Sequence, residues 1–579
     1  GGTTYPIPNG DCICNRNPKT GTASVTVDTT SFPDGQYRIA VEVFDTDFNT
    51  GTGFCDVNVV NGTVPEAKLV VSAHEMTRFQ NYYTITLTID NIGERDASDI
   101  KVNDYMAGFV PVAKQELYAD FSTGYAMPGS EAICEIDYHY TIPAHDSRIF
   151  TFTAVPVMIH PSPPIPVIGH KITLAYLSSS GKSFSQTVSS PVASTKNGEP
   201  IDKAHTNAIS LCDYLLVTNL EKLDSYFGTS PSSVGDLLAN MAHLAMLKNG
   251  TLGFLNTYDR ETLKYLIHPG IDFFGGNLFK GDWASRLSPD FSLPLKGYML
   301  IVGETEIIPS WTVFHEIGST FVVPDTDSVY ADTTGDNIID LIVGRIIGNA
   351  PGKMSKAIDS SIGVAEGHTG YRFDKSSALL ISGISDSEPD NGTDDYVEDV
   401  NDMTNILLNK GVNAYYDHWK DYDAVDWDER VSVFQSNVRD TDVIVYRNHG
   451  GYDVWTSLAT DGTIPGVNLG DPNIKHFPLD FGDSKPFIVA LACKTGNYEA
   501  NNDYNIAEAF FDSNAAVYIG ATRNTSRGIN SAMGKAFFAS WDNWETAGLA
   551  FSDLKRKREM SLAGRDMSAL MPGSSWLNL

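Results

Sequence analysis

The feature that most narrows the fold is a change of hydrophobic pattern near residue 196. Downstream of it lie uninterrupted apolar runs at 214–217, 298–302, 341–343, 378–381, 443–446, 487–491 and 516–519. A strand that is apolar at every residue must be covered on both faces, as the strands of a mostly parallel sheet between helices are. Helical patterns separate the runs, among them 396–409, which ends just before Gly411, and 506–512. Such an order, with short loops, predicts an α/β domain built on one large sheet with helices on both faces.

Upstream the period is two. Tyr37, Ile39, Val41 and Val43 alternate with polar or small residues after the turn signal Pro33, Asp34 and Gly35. Leu69 and Val71, then Tyr83, Ile85, Leu87 and Ile89, repeat the pattern. Alternation with turn residues between strands describes half-buried antiparallel sheet. The expected organisation is multidomain. A partial immunoglobulin-like β module covers 1–64 and a β-sandwich module covers 65–195. An α/β domain covers 196–579, with subdomains at about 196–370 and 371–579. A stiff Pro-rich loop at 161–166 falls inside the sandwich module.

Composition excludes several partners. The chain carries 41 basic against 72 acidic residues, a net charge of −31, which repels phosphate backbones and anionic lipid. Nucleic acid is therefore not an expected partner. No apolar run approaches the roughly 18 residues that span a bilayer, so no membrane insertion is expected. The opening residues lack a basic segment followed by an apolar one, and no signal peptide is expected within them. Oligomeric state has no signature in the sequence.

Six cysteines are too few for a disulfide framework in 579 residues. Cys12 or Cys14 is placed to pair with Cys55 if the first module is oxidised, and Cys134 and Cys212 read as core thiols. Cys493 is different. The run 443–446 leads into Arg447, Asn448, His449, Gly450 and Gly451, and the run 487–491 into Ala492, Cys493, Lys494, Thr495 and Gly496. In a parallel sheet both endings emerge at one edge. A thiol there sits among unpaired backbone N–H groups that favour the thiolate, and an imidazole nearby lowers its pKa and protonates a leaving amine. The N–H groups of Gly450 and Cys493 are candidates to hold an oxyanion. Taken singly, each dipeptide says little, because a histidine at a strand end is commonly a polar cap and a lone cysteine a buried hydrophobe.

The combination is more specific. Strand, His449 and Gly450, followed by strand, Ala492 and Cys493, resembles the clan of caspases, legumains and gingipains. The gingipain family is the most similar, from residue 297 to the end. The pieces that carry the likeness are 449–455, 492–498, 507–509, 519–522 and the strand motif 343–346. The resemblance implies a secreted cysteine endopeptidase with a caspase-like catalytic domain, His449 as general acid/base, Cys493 as nucleophile and protein or peptide substrates. It also makes Asp395 the candidate acid of a pocket for Arg or Lys before the cut bond; a helix N-terminus stabilised by acidic residues reads equally well there. Trp455 belongs to the likeness as a substrate-side residue. Two positions depart from the family pattern. Ile384 stands where a glutamate assists the histidine, with Asp386 and Glu388 close by, and Arg527 stands where a tryptophan flanks the pocket. Arg527 either pairs with Asp395 or turns the preference acidic.

No cofactor is expected for catalysis. Asp332, Asp336 and Asp340, around a glycine turn, are a candidate structural calcium loop, or else an Asp-rich turn without metal. Two rival functions remain at this stage: a non-catalytic surface adhesion or assembly protein on a peptidase fold, and a sortase-like transpeptidase.

Overall fold

The computed structural model describes residues 32, 35–44, 50–59, 65–126, 131–160, 165–227, 231–255, 297–312, 315–317, 320–322, 325–327, 330, 339, 341–371, 374–383, 395–418, 427–455, 480–498, 505–525, 527–541 and 550. Its first element is an antiparallel hairpin, Gly35–Phe44 with Thr50–Val59. Cys12 and Cys14 lie outside the described residues; Cys55 is exposed, and Cys134 and Cys212 are buried thiols.

The alternating segments next form two layers. One contains Leu69–Phe79, Tyr82–Asn91 and Ser147–His160, paired antiparallel with registers such as Ile85 to Phe152. The other runs Ser183–Val188, Val167–Ser178, Ala97–Ala107, Glu131–Tyr138, Ala119–Ala126 and Lys114–Gln115. Tyr83, Ile85, Leu87 and Ile89 point inward and are fully buried, as their period of two requires.

The strand Ser147–His160 pairs in both senses. Its first half pairs antiparallel with Tyr82–Asn91, and Val157 to His160 pair parallel with Leu252 to Leu255. It thereby carries the front layer directly into a parallel sheet. That sheet comprises β1 (Tyr214–Thr218), β2 (Gly250–Leu255), β3 (Gly297–Val302) and β4 (Leu341–Ile346), in the order β4, β3, β1, β2.

The second parallel sheet is separate. It comprises β5 (Ser377–Ser382), β6 (Asn413–His418), β7 (Val443–Arg447), β8 (Phe487–Leu491) and β9 (Val517–Gly520), in the order β6, β5, β7, β8, β9. The apolar runs thus divide between two sheets, where the sequence pattern predicted one. The pattern reports burial on both faces and carries no information about which run pairs with which. Both faces of the second sheet are covered. Ala378, Leu380, Val445, Val489 and Leu491 face Val400, Met403 and Phe537 of two helices, Asp395–Asn409 and Arg527–Ser540. Leu379, Ile381, Tyr446 and Ala490 share the opposite core with Phe434 and Phe510 of Trp427–Val438 and Ile506–Asp512.

Polar groups tie the two parallel sheets together. Beyond β3, Glu304 accepts from the Gly348 N–H at 3.0 Å. Glu508, which caps its own helix with Asn505, accepts from the Asn349 N–H at 3.3 Å. Arg345 of β4 is fully buried between the Asp327 carboxylate, at 2.8 and 2.7 Å, and the ring of Tyr498, 5.2 Å away.

Burial, with the Glu508 and Glu306 carboxyls beside it, pushes the Glu304 carboxyl up to about 8, and burial pushes Glu508 up to about 7. The folded protein therefore holds protons that the unfolded chain has released, and this contribution to stability is lost as pH rises from about 4.5 to about 8. Urea midpoints should fall between pH 5 and pH 8, and Glu304→Gln should flatten that fall by raising the pH 8 value. Parallel wild-type and variant profiles would exclude a raised Glu304.

Candidate active site

The register of two neighbouring strands sets the site. Val443 pairs with Phe487 and Arg447 with Leu491, so β7 and β8 end level. His449 follows Arg447 by two residues and Cys493 follows Leu491 by two, and both reach the carboxyl edge at the same height. Gly450 lies directly against the cysteine turn. A Cβ added to it would come within 2.4 Å of Thr495 Cγ2 and 3.1 Å of the Cys493 carbonyl oxygen. Only glycine permits so close an approach of the two loops.

The cysteine turn is tightly built. Lys494 adopts a left-handed φ of 57°, its N–H donates to the Arg523 carbonyl at 3.1 Å, and Gly496 N–H donates to Ala521 at 2.9 Å. These bonds anchor the turn to the segment after β9. Cys493 is half-buried, and the Thr525 N–H donates to its sulfur at 3.3 Å. The same sulfur lies 3.5 Å from the Thr525 carbonyl oxygen, so one residue holds it through both backbone groups. Among the described residues, the N–H groups of Gly450 and Cys493 donate to no other backbone group.

His449 is half-buried. Its carbonyl accepts from the Tyr446 hydroxyl at 2.8 Å, which fixes the backbone. Its ring meets Tyr396, from the start of the helix Asp395–Asn409, edge to face at 5.8 Å, with Nε2 3.4 Å from the Tyr396 hydroxyl. Beneath them Arg447 is 1% exposed, its guanidinium 4.1 Å from the Tyr396 ring centroid and its Nε 2.9 Å from Asp399. Asp399 also takes Lys535 at 3.1 Å and the Ser531 hydroxyl. Removing the carboxylate would strand a buried guanidinium, a loss on the order of 3–5 kcal/mol.

Of the other expected site residues, Asp395 opens the helix and is exposed, and Arg527 is half-buried with its guanidinium 5.5 Å from the Tyr396 ring centroid. Both therefore stand around the residue that meets His449. Trp455 is not on the substrate side. It is 1% exposed, stacked flat on Tyr446 at 4.3 Å, packed on Phe510, and bonded through Nε1 to the Tyr518 hydroxyl. Its place in the core follows from the bridge between Gly450 and Trp455, which folds the chain after His449 back over the sheet. Asp332, Asp336 and Asp340, and Ile384, Asp386 and Glu388, lie outside the described residues. Among the described residues no group of three or more potential metal ligands occurs.

Sequence reasoning overlooked Tyr396, Arg447, Asp399 and Thr525. Arg447 left a trace, a cation closing an apolar run; Tyr396 reads as an ordinary core position of an amphipathic helix.

Residues 292–570 match the model of peptidase family C25. Among solved structures, the chain is similar to the Arg-specific cysteine proteinase gingipain R, with 15% identity over 63% of this chain and 76% of that one, at a TM-score of 0.39. A structure described as "Structure of Protease" gives 13%, 63%, 77% and 0.41. The complex of pro- and mature domains of RgpB from Porphyromonas gingivalis gives 15%, 63%, 78% and 0.37. No curated protein matches the chain.

Trp455→Phe should lower stability by about 1–3 kcal/mol through the cavity it leaves. The alkylation rate of Cys493 should stay within about twofold of wild type, because the ring lies under the site and not in it. An unchanged melting temperature with altered Cys493 reactivity would put Trp455 back at the substrate.

Proposed function

This chain carries a cysteine peptidase of family C25 over residues 292–570, and from that premise we propose that Cys493 is its nucleophile and His449 its general acid/base. The observation that carries the assignment is the level ending of β7 and β8, with Gly450 packed on the cysteine turn. The Cys493 thiolate attacks the carbonyl carbon of the scissile bond. The N–H groups of Gly450 and Cys493 receive the oxyanion. As the C–N bond breaks, His449 gives its proton to the departing amine and an acyl-enzyme forms on sulfur. Water then adds to the thioester, His449 takes its proton, and the acid product leaves with the thiolate restored.

Substrates are proteins or peptides. In this reading Asp395 is the acid that receives Arg or Lys before the cut bond, supported by its exposure at the head of the helix that also brings Tyr396 to His449. The domain then belongs to the caspase-like architecture, and the front layers are immunoglobulin-like modules that brace it or guide substrate. An extracellular or cell-surface location is part of the same proposal, supported by a composition rich in Asn, Asp, Gly, Ser and Thr. Among the described residues no helix is long and apolar enough to cross a membrane. A structural calcium ion at Asp332, Asp336 and Asp340 rests on their spacing alone.

Cys493→Ala should cut peptide cleavage by at least about 10³-fold, the scale seen when a nucleophile is removed. The half-exposed position makes its melting temperature close to that of wild type. Cleavage that persists in this variant refutes the proposal. A positional peptide library should show Arg or Lys before the cut, with Asp395→Ala reducing that preference. A preference for Asp or Glu would instead assign the pocket to Arg527.

A further inference from the structure

We propose that Tyr396 is the positioning residue for His449, holding its Nε2 so that Nδ1 is the nitrogen that exchanges the proton; this rests on the His449–Cys493 reading above. The Tyr396 hydroxyl stands 3.4 Å from Nε2, and the two rings meet edge to face at an interplanar angle of 69°. A hydroxyl with two acceptor lone pairs receives Nε2–H in both the neutral and the charged ring. The proton that leaves with the amine, and the one later taken from water, therefore pass through Nδ1.

Such a role needs a tyrosine that does not move. Tyr396 is 1% exposed, and the Arg447 and Arg527 guanidinium groups lie 4.1 and 5.5 Å from its ring centroid. Cations held against an aromatic ring attract it, the more so out of water. Arg447 is itself fixed by Asp399, by the Leu491 carbonyl at 3.4 Å and by the Arg527 carbonyl at 3.1 Å. Leu491 is two residues before Cys493, so one buried guanidinium braces the histidine's tyrosine and the end of the cysteine's strand together.

Among the described residues, the charged groups facing the pair include Arg447 and Arg527, with Asp399 and Lys535 behind Arg447. Losing the acceptor on Nε2 disfavours the imidazolium, so the alkaline limb of activity should move to lower pH.

Tyr396→Phe keeps the ring and its cations and removes only the hydroxyl. The expected result is a kcat lower by about tenfold, the effect of one lost orienting hydrogen bond, with little change in KM. The alkaline limb of kcat/KM should move to lower pH. A wild-type kcat with an unmoved alkaline limb, or a change confined to KM or melting temperature, would overturn the role of Tyr396. The parent reading is separable. If Cys493→Ala still cleaves, both fall; if Cys493→Ala is inactive while Tyr396→Phe behaves as wild type, only the tyrosine's role falls.

Discussion

Everything about the site depends on the in-register parallel pairing of β7 and β8. Parallel pairing puts both strand ends at one edge, and the match of Arg447 with Leu491 makes them level. A shift of one residue would do more than displace His449 from Cys493 along the strand. It would also reverse which side chains face each core, because successive residues of a strand point to opposite faces. The register is thus held by the two apolar cores, one containing Tyr446 and Ala490, the other Val445 and Leu491. The geometry of the candidate site is in this sense a consequence of hydrophobic packing several residues away.

Buried polar groups act on top of that frame at positions where apolar packing has no directional preference. Arg447 with Asp399 fixes a helix to the central strand, and Arg345 with Asp327 fixes the end of β4. Both arginines also lie against a tyrosine, Tyr396 and Tyr498 respectively. Buried ion pairs contribute little net stability compared with apolar substitutes, yet they fix geometry because breaking one leaves an uncompensated charge. The Glu508 carboxyl joins the two parallel sheets in a related way, and Glu304 ties the end of β3 to the segment after β4, both as hydrogen-bond acceptors kept from water. The strand Ser147–His160 supplies the remaining continuity, since one chain segment serves both the front layer and the first parallel sheet. Displacement of the front strands is thereby coupled through backbone hydrogen bonds to the α/β half.

The sequence by itself determined the kind of each element. Period-two alternation around Tyr83 to Ile89, and apolar runs such as 487–491, reflect how many faces of a strand are covered, and coverage is what burial imposes locally. The same local logic placed His449 and Cys493 at a sheet edge, because residues directly after buried strands emerge there, while the roles expected of them came from the resemblance to the gingipain family. Tertiary structure alone decided which strands are neighbours. It divided the apolar runs between two sheets, drew Trp455 into the core beneath the histidine loop, and brought Tyr396 from a distant helix to Nε2 of His449. Pairing and ring contacts join residues far apart in the chain, and a local hydrophobic period contains no term for them.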